Sequence, residues 1–322
     1  GQSAVHLLND GANVVVRDET DPLNPQTMGS FPLAEVTAVT VYGTDGQEVI
    51  RISTLGLSAG LDAINGCAGE PLAANLCAGT KVTGENNDNI EVNGVVDKAN
   101  WFLQGSEYGD VTVTAGSDTL LINFSDIERG TVHSELDVAD SQTFNVLTVD
   151  PNNTITIGED GVPDNGRLLL DGGDSFPNVV FRSADTVVNA GPGDDNITVE
   201  ATTDLDNSLE IAGYAGDDVI DGAEAAVPLT IDGGDADDTI IGCANNDNIS
   251  GGDGSDVIDG GDGDDGIDGG AGDDTVDGGP GSDNLTGGDG SDSVITDPSD
   301  TVETGGGEPA IDSLGSDSAN VG

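Results

Sequence analysis

Residues 233–295 read GGDADDTII, GCANNDNIS, GGDGSDVID, GGDGDDGID, GGAGDDTVD, GGPGSDNLT and GGDGSDSVI, without a gap between the nonapeptides. Glycine is first, aspartate sixth and an aliphatic residue eighth in every unit. A fixed short period of this kind is typical of solenoids, in which each repeat buries its apolar face against its neighbours. The run therefore predicts stacked coils of two nonapeptides each, with one aliphatic side chain per nonapeptide pointing inward.

Such a small core cannot hold the coils together alone, because every residue of the coil must also be ordered. Glycine allows tight turns that point carbonyl oxygens inward, and the sixth-position aspartate adds a carboxylate. Coils stack about 4.8 Å apart, and two facing carboxylates at that spacing repel by about 3 kcal/mol at an effective dielectric constant of about 20. A hard divalent cation with oxygen ligands turns this repulsion into a cross-link. The pattern therefore predicts calcium binding.

The run resembles the RTX (repeats-in-toxin) calcium-binding β-roll of secreted bacterial proteins. The resemblance implies that residues 1–6 of each nonapeptide form a metal-binding turn and that the last three form a strand of a right-handed parallel β-roll. Aspartate carboxylates and backbone carbonyls would then hold calcium between successive coils. One ladder would contain Asp238, Asp256, Asp274 and Asp292, and the opposite one Asp247, Asp265 and Asp283. The full set of metal-site residues implied is Asp195, Asp218, Gly233, Asp235, Asp238, Gly242, Asp247, Gly251, Asp253, Asp256, Gly260, Asp262, Asp265, Gly269, Ala271, Asp274, Gly278, Asp283, Gly287 and Asp292.

Three residues depart from the repeat. Ala236, Cys243 and Asn245 replace glycines, so the first two nonapeptides are expected to bind weakly or to have altered turns. Cys243 is interpreted as a surface thiol, an intermolecular link or a tolerated substitution. A disordered Gly/Asp-rich linker is the alternative for the whole run, but a linker would not keep an aliphatic residue every nine positions.

The same turn occurs upstream, in AGPGDDNIT from Ala190 and GYAGDDVID from Gly213. The steps from Asp195 through Asp218, Asp238, Asp256 and Asp274 to Asp292 are 23, 20, 18, 18 and 18 residues. The spacing converges on two nonapeptides. It predicts that one side of the coil carries metal turns from about Ala190 and the other side from about Gly242.

Earlier segments alternate polar and apolar residues, as in VTAVTVYGTDGQEVIRIS and VTVTAGSDTLLINFS, which favours strands. We predict an all-β, right-handed parallel β-solenoid whose irregular rungs grade into the regular roll. The predicted boundaries are an N-terminal strand and loop segment at 1–34, an irregular solenoid at 35–189, the calcium-binding roll at 190–302 and an acidic Gly/Ser-rich tail or linker at 303–322. A β-sandwich followed by a separate roll is the alternative.

The net charge of −55 opposes binding to nucleic acid or to an anionic membrane unless calcium bridges them. All seven basic residues precede residue 183. No apolar run is long enough to span a membrane, so no membrane insertion is predicted. Weak calcium sites suit an extracellular module, and a disulfide between Cys67 and Cys77 would fit that compartment, although two core cysteines explain the pair equally well. We therefore expect a bacterial protein that is secreted or displayed at the cell surface.

No catalytic constellation stands out. The segment GLSAG places Ser58 in a Gly-x-Ser-x-Gly pattern, but no helix follows it as a nucleophile elbow requires. Trp101 is interpreted as a core residue, with an exposed contact as the alternative. The expected function is that of a non-enzymatic calcium-binding structural protein of a cell-surface, matrix or fibre assembly, with head-to-tail self-association. The alternatives are an adhesin segment that binds a glycan or host surface, and the accessory or secretion module of an RTX hydrolase whose catalytic domain precedes Gly1.

Overall fold

The computed structural model describes residues 152–159, 185–201 and 208–303 in full, together with the strands given below and residues 172, 173 and 176. Within these residues every regular element is a strand. None of the described residues belongs to a helix that could cross a membrane. The chain divides into two units, of which the first comprises Gly1–Val149 with Leu169–Ala184 and the second Asp150–Leu168 with Asp185–Gly322.

Parallel strand ladders dominate the first unit. One ladder joins β1, β5, β7, β10 and β13, and another joins β4, β6 and β9. The strands are β1 Ser3–Asn9, β2 Asn13–Asp18, β3 Gln26–Pro32, β4 Ala38–Tyr42, β5 Glu48–Ser53, β6 Ala63–Cys67, β7 Asn89–Gly105, β8 Tyr108–Ala115, β9 Asp118–Ser125, β10 Thr131–Val146 and β13 Asn178–Arg182, and β12 Arg167–Asp171 falls on the boundary between the units. Such stacking of sequence-distant strands is the irregular solenoid that the alternating segments predict.

Antiparallel hairpins interrupt this stacking. Strand β2 pairs with β1 and β3, and β8 pairs with β7 and β9. The segment VTVTAGSDTLLINFS, expected to be a solenoid rung, is therefore the β8–β9 hairpin, with Ala115 opposite Asp118. Only Gly116 and Ser117 lie between these strands, and so short a connection can join antiparallel strands but not parallel ones.

Aromatic side chains form the centre of the first unit. Trp101 is fully buried and stacks on Phe144, with ring centroids 5.8 Å apart. Phe144 in turn contacts Phe181 at 4.8 Å. The interpretation of Trp101 as a core residue is confirmed. Ser58 and Cys77 lie outside the described residues, so the predictions made for them stay predictions.

Two parallel sheets form the second unit. One contains β14, β16, β18, β20, β22, β24 and β26, and the other contains β11, β15, β17, β19, β21, β23, β25 and β27. Their bounds are β11 Thr154–Glu159, β14 Asp185–Pro192, β15 Asn196–Val199, β16 Leu209–Ala215, β17 Val219–Asp221, β18 Leu229–Asp235, β19 Thr239–Ile241, β20 Asn248–Asp253, β21 Val257–Asp259, β22 Gly266–Ala271, β23 Thr275–Asp277, β24 Asn284–Asp289, β25 Ser293–Thr296, β26 Thr301–Glu303 and β27 Ala310–Ser313.

The eighth-position aliphatic residues fill the space inside this unit. They stack in register in two buried columns, one formed by Ile240, Ile258, Val276 and Val294 and the other by Ile249, Ile267 and Leu285, and Ile231 upstream of the repeats extends the second column. The alternate residues face outward, as Thr239 and Val257 do. The all-β parallel solenoid predicted from the repeat is confirmed. We refer to residues 208–303 as the roll.

Two strand pairings cross predicted domain boundaries. Strand β1 pairs in parallel with β5 although it precedes residue 35. Strand β27 lies inside the segment predicted as a tail, where Ile311 pairs in register with Val294 of β25. In β1, Val5 and Leu7 alternate with His6 and pair in register with Ile50 and Ile52 of β5, so this segment matches the neighbouring strand of the ladder.

Candidate metal centre

The sixth-position aspartates of one side form a continuous hydrogen-bonded stack. The backbone N–H of each aspartate donates to Oδ1 of the aspartate one coil later, and we call this row the first stack. The donor–acceptor distances are 2.7 Å for Asp195 to Asp218, 2.8 Å for Asp218 to Asp238, 2.8 Å for Asp238 to Asp256, 2.9 Å for Asp256 to Asp274 and 3.2 Å for Asp274 to Asp292. The structure thus brings together the residues that the converging spacing placed on one ladder.

The opposite side repeats the arrangement, and we call this row the second stack. Leu229 N donates to Asp247 Oδ1 at 2.7 Å. Asp247 N donates to Asp265 at 2.8 Å, and Asp265 N donates to Asp283 at 2.9 Å. The members Asp247, Asp265 and Asp283 are those implied by the resemblance.

The second oxygen of most stacked aspartates is buried and accepts no hydrogen bond. These are the Oδ2 atoms of Asp218, Asp238, Asp256, Asp265, Asp274 and Asp283. No lysine or arginine follows Arg182 in the sequence, so the roll supplies no basic side chain for them. Buried carboxylate oxygens without a donor or a cation are costly, and these atoms therefore mark places where a cation from solution would be bound.

Backbone carbonyls converge on the same places. A Cβ added to Gly269 would lie 2.5 Å from Gly287 O and 2.7 Å from Asp274 Oδ2, and one added to Gly260 would lie 2.7 Å from Asp265 Oδ2 and 2.8 Å from Gly278 O. The first-position glycines from Gly233 to Gly269 therefore each face a space lined by the aspartate of their own nonapeptide and by the glycine carbonyl one coil later, whereas Gly278 and Gly287 face their own aspartate alone. We call this space a cradle. Any side chain at the first position would fill it, which explains the glycine there.

Burial raises the pKa of these carboxyl groups, and repulsion from neighbouring aspartates adds to the effect. The hydrogen bond from the preceding backbone N–H acts in the opposite direction. The pKa rises to about 7 for Asp218, Asp238 and Asp265, and to about 6 for Asp274 and Asp283. The cradles thus favour either a proton or a metal ion beside each carboxylate.

The third-position residues contribute differently from the aspartates of the stacks. The side chains of Asp235, Asp253, Asp262 and Ala271 are exposed, so only their backbone carbonyls could serve a buried ion. Among the described residues no three acidic, histidine or cysteine side chains converge on one point. A metal ion in a cradle would therefore depend on carboxylate and backbone carbonyl oxygens together, and this donor set fits calcium.

The sequence did not identify the residues that end the two stacks. Asn153 begins the first stack, where its backbone N–H and its side-chain amide donate to Asp195 Oδ1 at 2.6 and 2.9 Å. Asp300 ends the second, where its Oδ1 accepts from Asp283 N at 3.2 Å. The sequence that precedes each of these two residues lacks the glycines of the repeat. The only signal was the triplet of Asp or Asn, any residue and an aliphatic residue, as in Asn153-Thr154-Ile155 and Asp300-Thr301-Val302.

An exposed row of fifth-position residues runs beside the first stack, with the opposite hydrogen-bond direction. Asp237 Oδ1 accepts from Ser255 N at 2.8 Å, and Asp273 Oδ1 accepts from Ser291 N at 2.9 Å. Here the later coil donates to the earlier one. The paired aspartates of the repeat therefore divide their roles, since the sixth residue lines a cradle and the fifth ties coils together at the surface.

The glycine replacements have unequal effects. Ala236 adopts a φ of 87°, in the region that favours glycine, and the cradle of Asp238 beside it is retained. Cys243 is only 2% exposed, so the interpretation of this residue as a surface thiol is wrong. Its Sγ lies 3.2 Å from Asp247 Oδ1 and 3.3 Å from Val227 O. Of the first two nonapeptides, the second is the one with an altered turn.

The fold and the two stacks of buried oxygens define a β-solenoid with successive sites for a hard divalent cation. The family model for the RTX calcium-binding nonapeptide repeat (4 copies) matches residues 210–225, 232–267, 244–276 and 259–294. These segments are RTX repeats, which are calcium-binding motifs, arranged as a β-roll. A comparison with characterised proteins finds no similar chain.

Neighbouring aspartates of one turn provide a matched test of the cradle. We expect Asp274→Asn to lose a calcium site, which would cost about 2–3 kcal/mol when calcium is near a hundred times its dissociation constant. Without calcium the same change is expected to stabilise β22–β25 by about 1–3 kcal/mol, because it removes a buried charged oxygen that has no donor. Deuterium uptake of peptides from this region, with and without calcium, measures both effects.

The control is Asp273→Asn. Asp273 is exposed and accepts from Ser291 N, and an asparagine retains that acceptor. Uptake is expected to match the wild type in both buffers. Equal behaviour of the two variants would contradict the assignment of Asp274 to a cradle.

Proposed function

We propose that this chain is an extracellular, non-enzymatic structural module whose roll becomes rigid when calcium fills its cradles. The single observation that carries the proposal is the row of buried Oδ2 atoms without hydrogen-bond donors. Sites of this donor type in extracellular modules have dissociation constants of about 0.1–1 mM. They would be filled outside a bacterial cell and empty at cytosolic calcium concentrations, so the chain would become rigid after export.

The structural role is supported by the extent of stacking. Both units consist mainly of parallel ladders, and such ladders transmit order along the chain. The described strands β26 and β27 each pair with a single strand, β24 and β25 respectively. A strand with a free edge can pair with another chain, and we include head-to-tail association of copies in the proposal.

The glycan-binding alternative lacks the feature expected for it. An exposed aromatic patch around Trp101 would have favoured an adhesin segment, but Trp101 is fully buried against Phe144. The accessory-module alternative depends on sequence preceding Gly1, and no feature of the described residues favours it over a structural role.

Sedimentation velocity of the whole chain at micromolar and millimolar free calcium tests the proposal. We expect an expanded monomer at micromolar calcium, and compact particles that grow with protein concentration at millimolar calcium. Millimolar magnesium is the control, because magnesium sheds its water reluctantly and requires a tighter octahedral site. An identical sedimentation coefficient at both calcium concentrations would contradict the calcium mechanism, whereas a compact monomer that never grows would contradict only the association.

A further inference from the structure

The turn at Gly242–Asp247 is built differently from the later turns of the second stack. In those turns the second-position N–H donates to the aspartate that ends the preceding nonapeptide. Gly261 N donates to Asp259 Oδ1 and Gly279 N donates to Asp277 Oδ1, both at 3.1 Å. This bond keeps the second-position amide away from the cradle.

Two substitutions remove that arrangement in the first turn. Ile241 stands where Asp259 and Asp277 stand in the later coils, and an isoleucine side chain cannot accept a hydrogen bond. Cys243 replaces glycine, and it does not adopt the positive φ of 93° and 79° that Gly261 and Gly279 have. The amide of Cys243 is therefore free to turn toward the carboxylate of its own turn.

The Asp247 carboxylate is fully engaged as a result. Cys243 N donates to Asp247 Oδ2 at 2.6 Å, and Leu229 N donates to Oδ1 at 2.7 Å. The Cys243 thiol is an additional donor, with its Sγ 3.2 Å from Asp247 Oδ1. Asp247 is 4% exposed, so its charge is buried, yet both oxygens have donors. In the same stack Asp265 and Asp283 each keep an Oδ2 without one.

We infer that the cradle of Asp247 is closed by the protein and takes no calcium, so that the second stack begins with a metal-independent step and its first calcium lies at Asp265. The inference rests on the proposed calcium function. The donors from Cys243 and Leu229 replace the metal ion in compensating the carboxylate, because amide donors and a cation meet the same need of a buried anion. The first turn of the second stack then needs no calcium of its own, although the coils on either side of it still do.

Native mass spectrometry of the whole chain over a calcium series tests the inference by counting bound ions. The double substitution Ile241→Asp with Cys243→Gly restores both features of the later turns and is expected to bind one calcium more than the wild type. The control Cys243→Ser keeps the backbone N–H and a side-chain donor, so its count is expected to equal that of the wild type.

A second pair of variants covers the case in which the double substitution does not fold. Asp247→Asn is expected to leave the number of bound calcium ions unchanged, whereas Asp265→Asn lowers it. Loss of a calcium ion in Asp247→Asn, or an unchanged count in a folded double variant, would overturn the inference alone. A wild-type chain that binds no calcium would overturn the proposed function as well.

Discussion

Removing calcium at about pH 8 is expected to unfold residues 208–303 while the first unit keeps its structure. Without the ion the Oδ2 atoms of aspartates such as Asp218, Asp238 and Asp256 remain buried without donors. Each such atom costs about 1–3 kcal/mol, and the penalties fall on consecutive coils. Two buried aliphatic columns are the main apolar core that opposes this loss, so we expect the roll to open along most of its length.

Deuterium exchange resolves this effect by region. Peptides from β16 to β25 should lose most of their protection in calcium-free buffer, and should regain it when calcium is restored. Peptides from β7 and β10 are the internal control, because Trp101 and Phe144 are fully buried and their stacked core contains no carboxylate stack. Protection of the roll that is indifferent to calcium would refute the role assigned to the cradles.

The parts of this structure that could be predicted are those governed by the repeat itself. A constant step between aspartates fixes which residues lie above one another, because each coil of a solenoid consumes one period of sequence. Asp238, Asp256 and Asp274 are therefore stacked where the spacing places them. Even the irregular steps of 23 and 20 residues align Asp195 and Asp218 with them.

The remaining features depend on single contacts that leave little trace in the sequence. Asn153 and Asp300 end the stacks without any glycine pattern, because an end coil needs only one acceptor facing its neighbour. The closed cradle depends on the direction of one N–H group at Cys243. The β8–β9 hairpin shares its alternation with the solenoid rungs, and only the length of its connection distinguishes it.

Acid is expected to replace calcium in holding the roll together. An aspartate in an unfolded chain has a pKa near 3.8, whereas Asp218, Asp238 and Asp265 have a pKa of about 7 and Asp274 and Asp283 one of about 6 in the fold. Between these values the folded roll binds more protons than the unfolded chain. Its stability without calcium therefore rises as pH falls from about 7 toward about 4, and it is lost as pH rises through 6 to 7.

The measurement is a series of thermal melts in resin-treated, calcium-free buffer from about pH 8 to about pH 4.5, followed by circular dichroism. We expect the melting transition of the roll to appear on acidification, and five groups titrating together should make this larger than the effect of any single substitution. Calcium affinity is expected to change in the opposite direction and to weaken as pH falls through 7 to 6, because the ion must displace protons from its ligands.

General charge repulsion offers a competing explanation, since acid also lowers the net charge of −55. Sodium chloride at about pH 8 separates the two causes. Salt screens exposed carboxylates but reaches buried pairs much less, and the stacked aspartates are only 1–4% exposed. If the cradles are responsible, molar salt leaves the calcium-free roll unfolded while acid folds it. If salt restores the roll as well as acid does, the effect is assigned to the surface charges. If neither salt nor acid restores the roll, the raised pKa values of the cradle aspartates are contradicted.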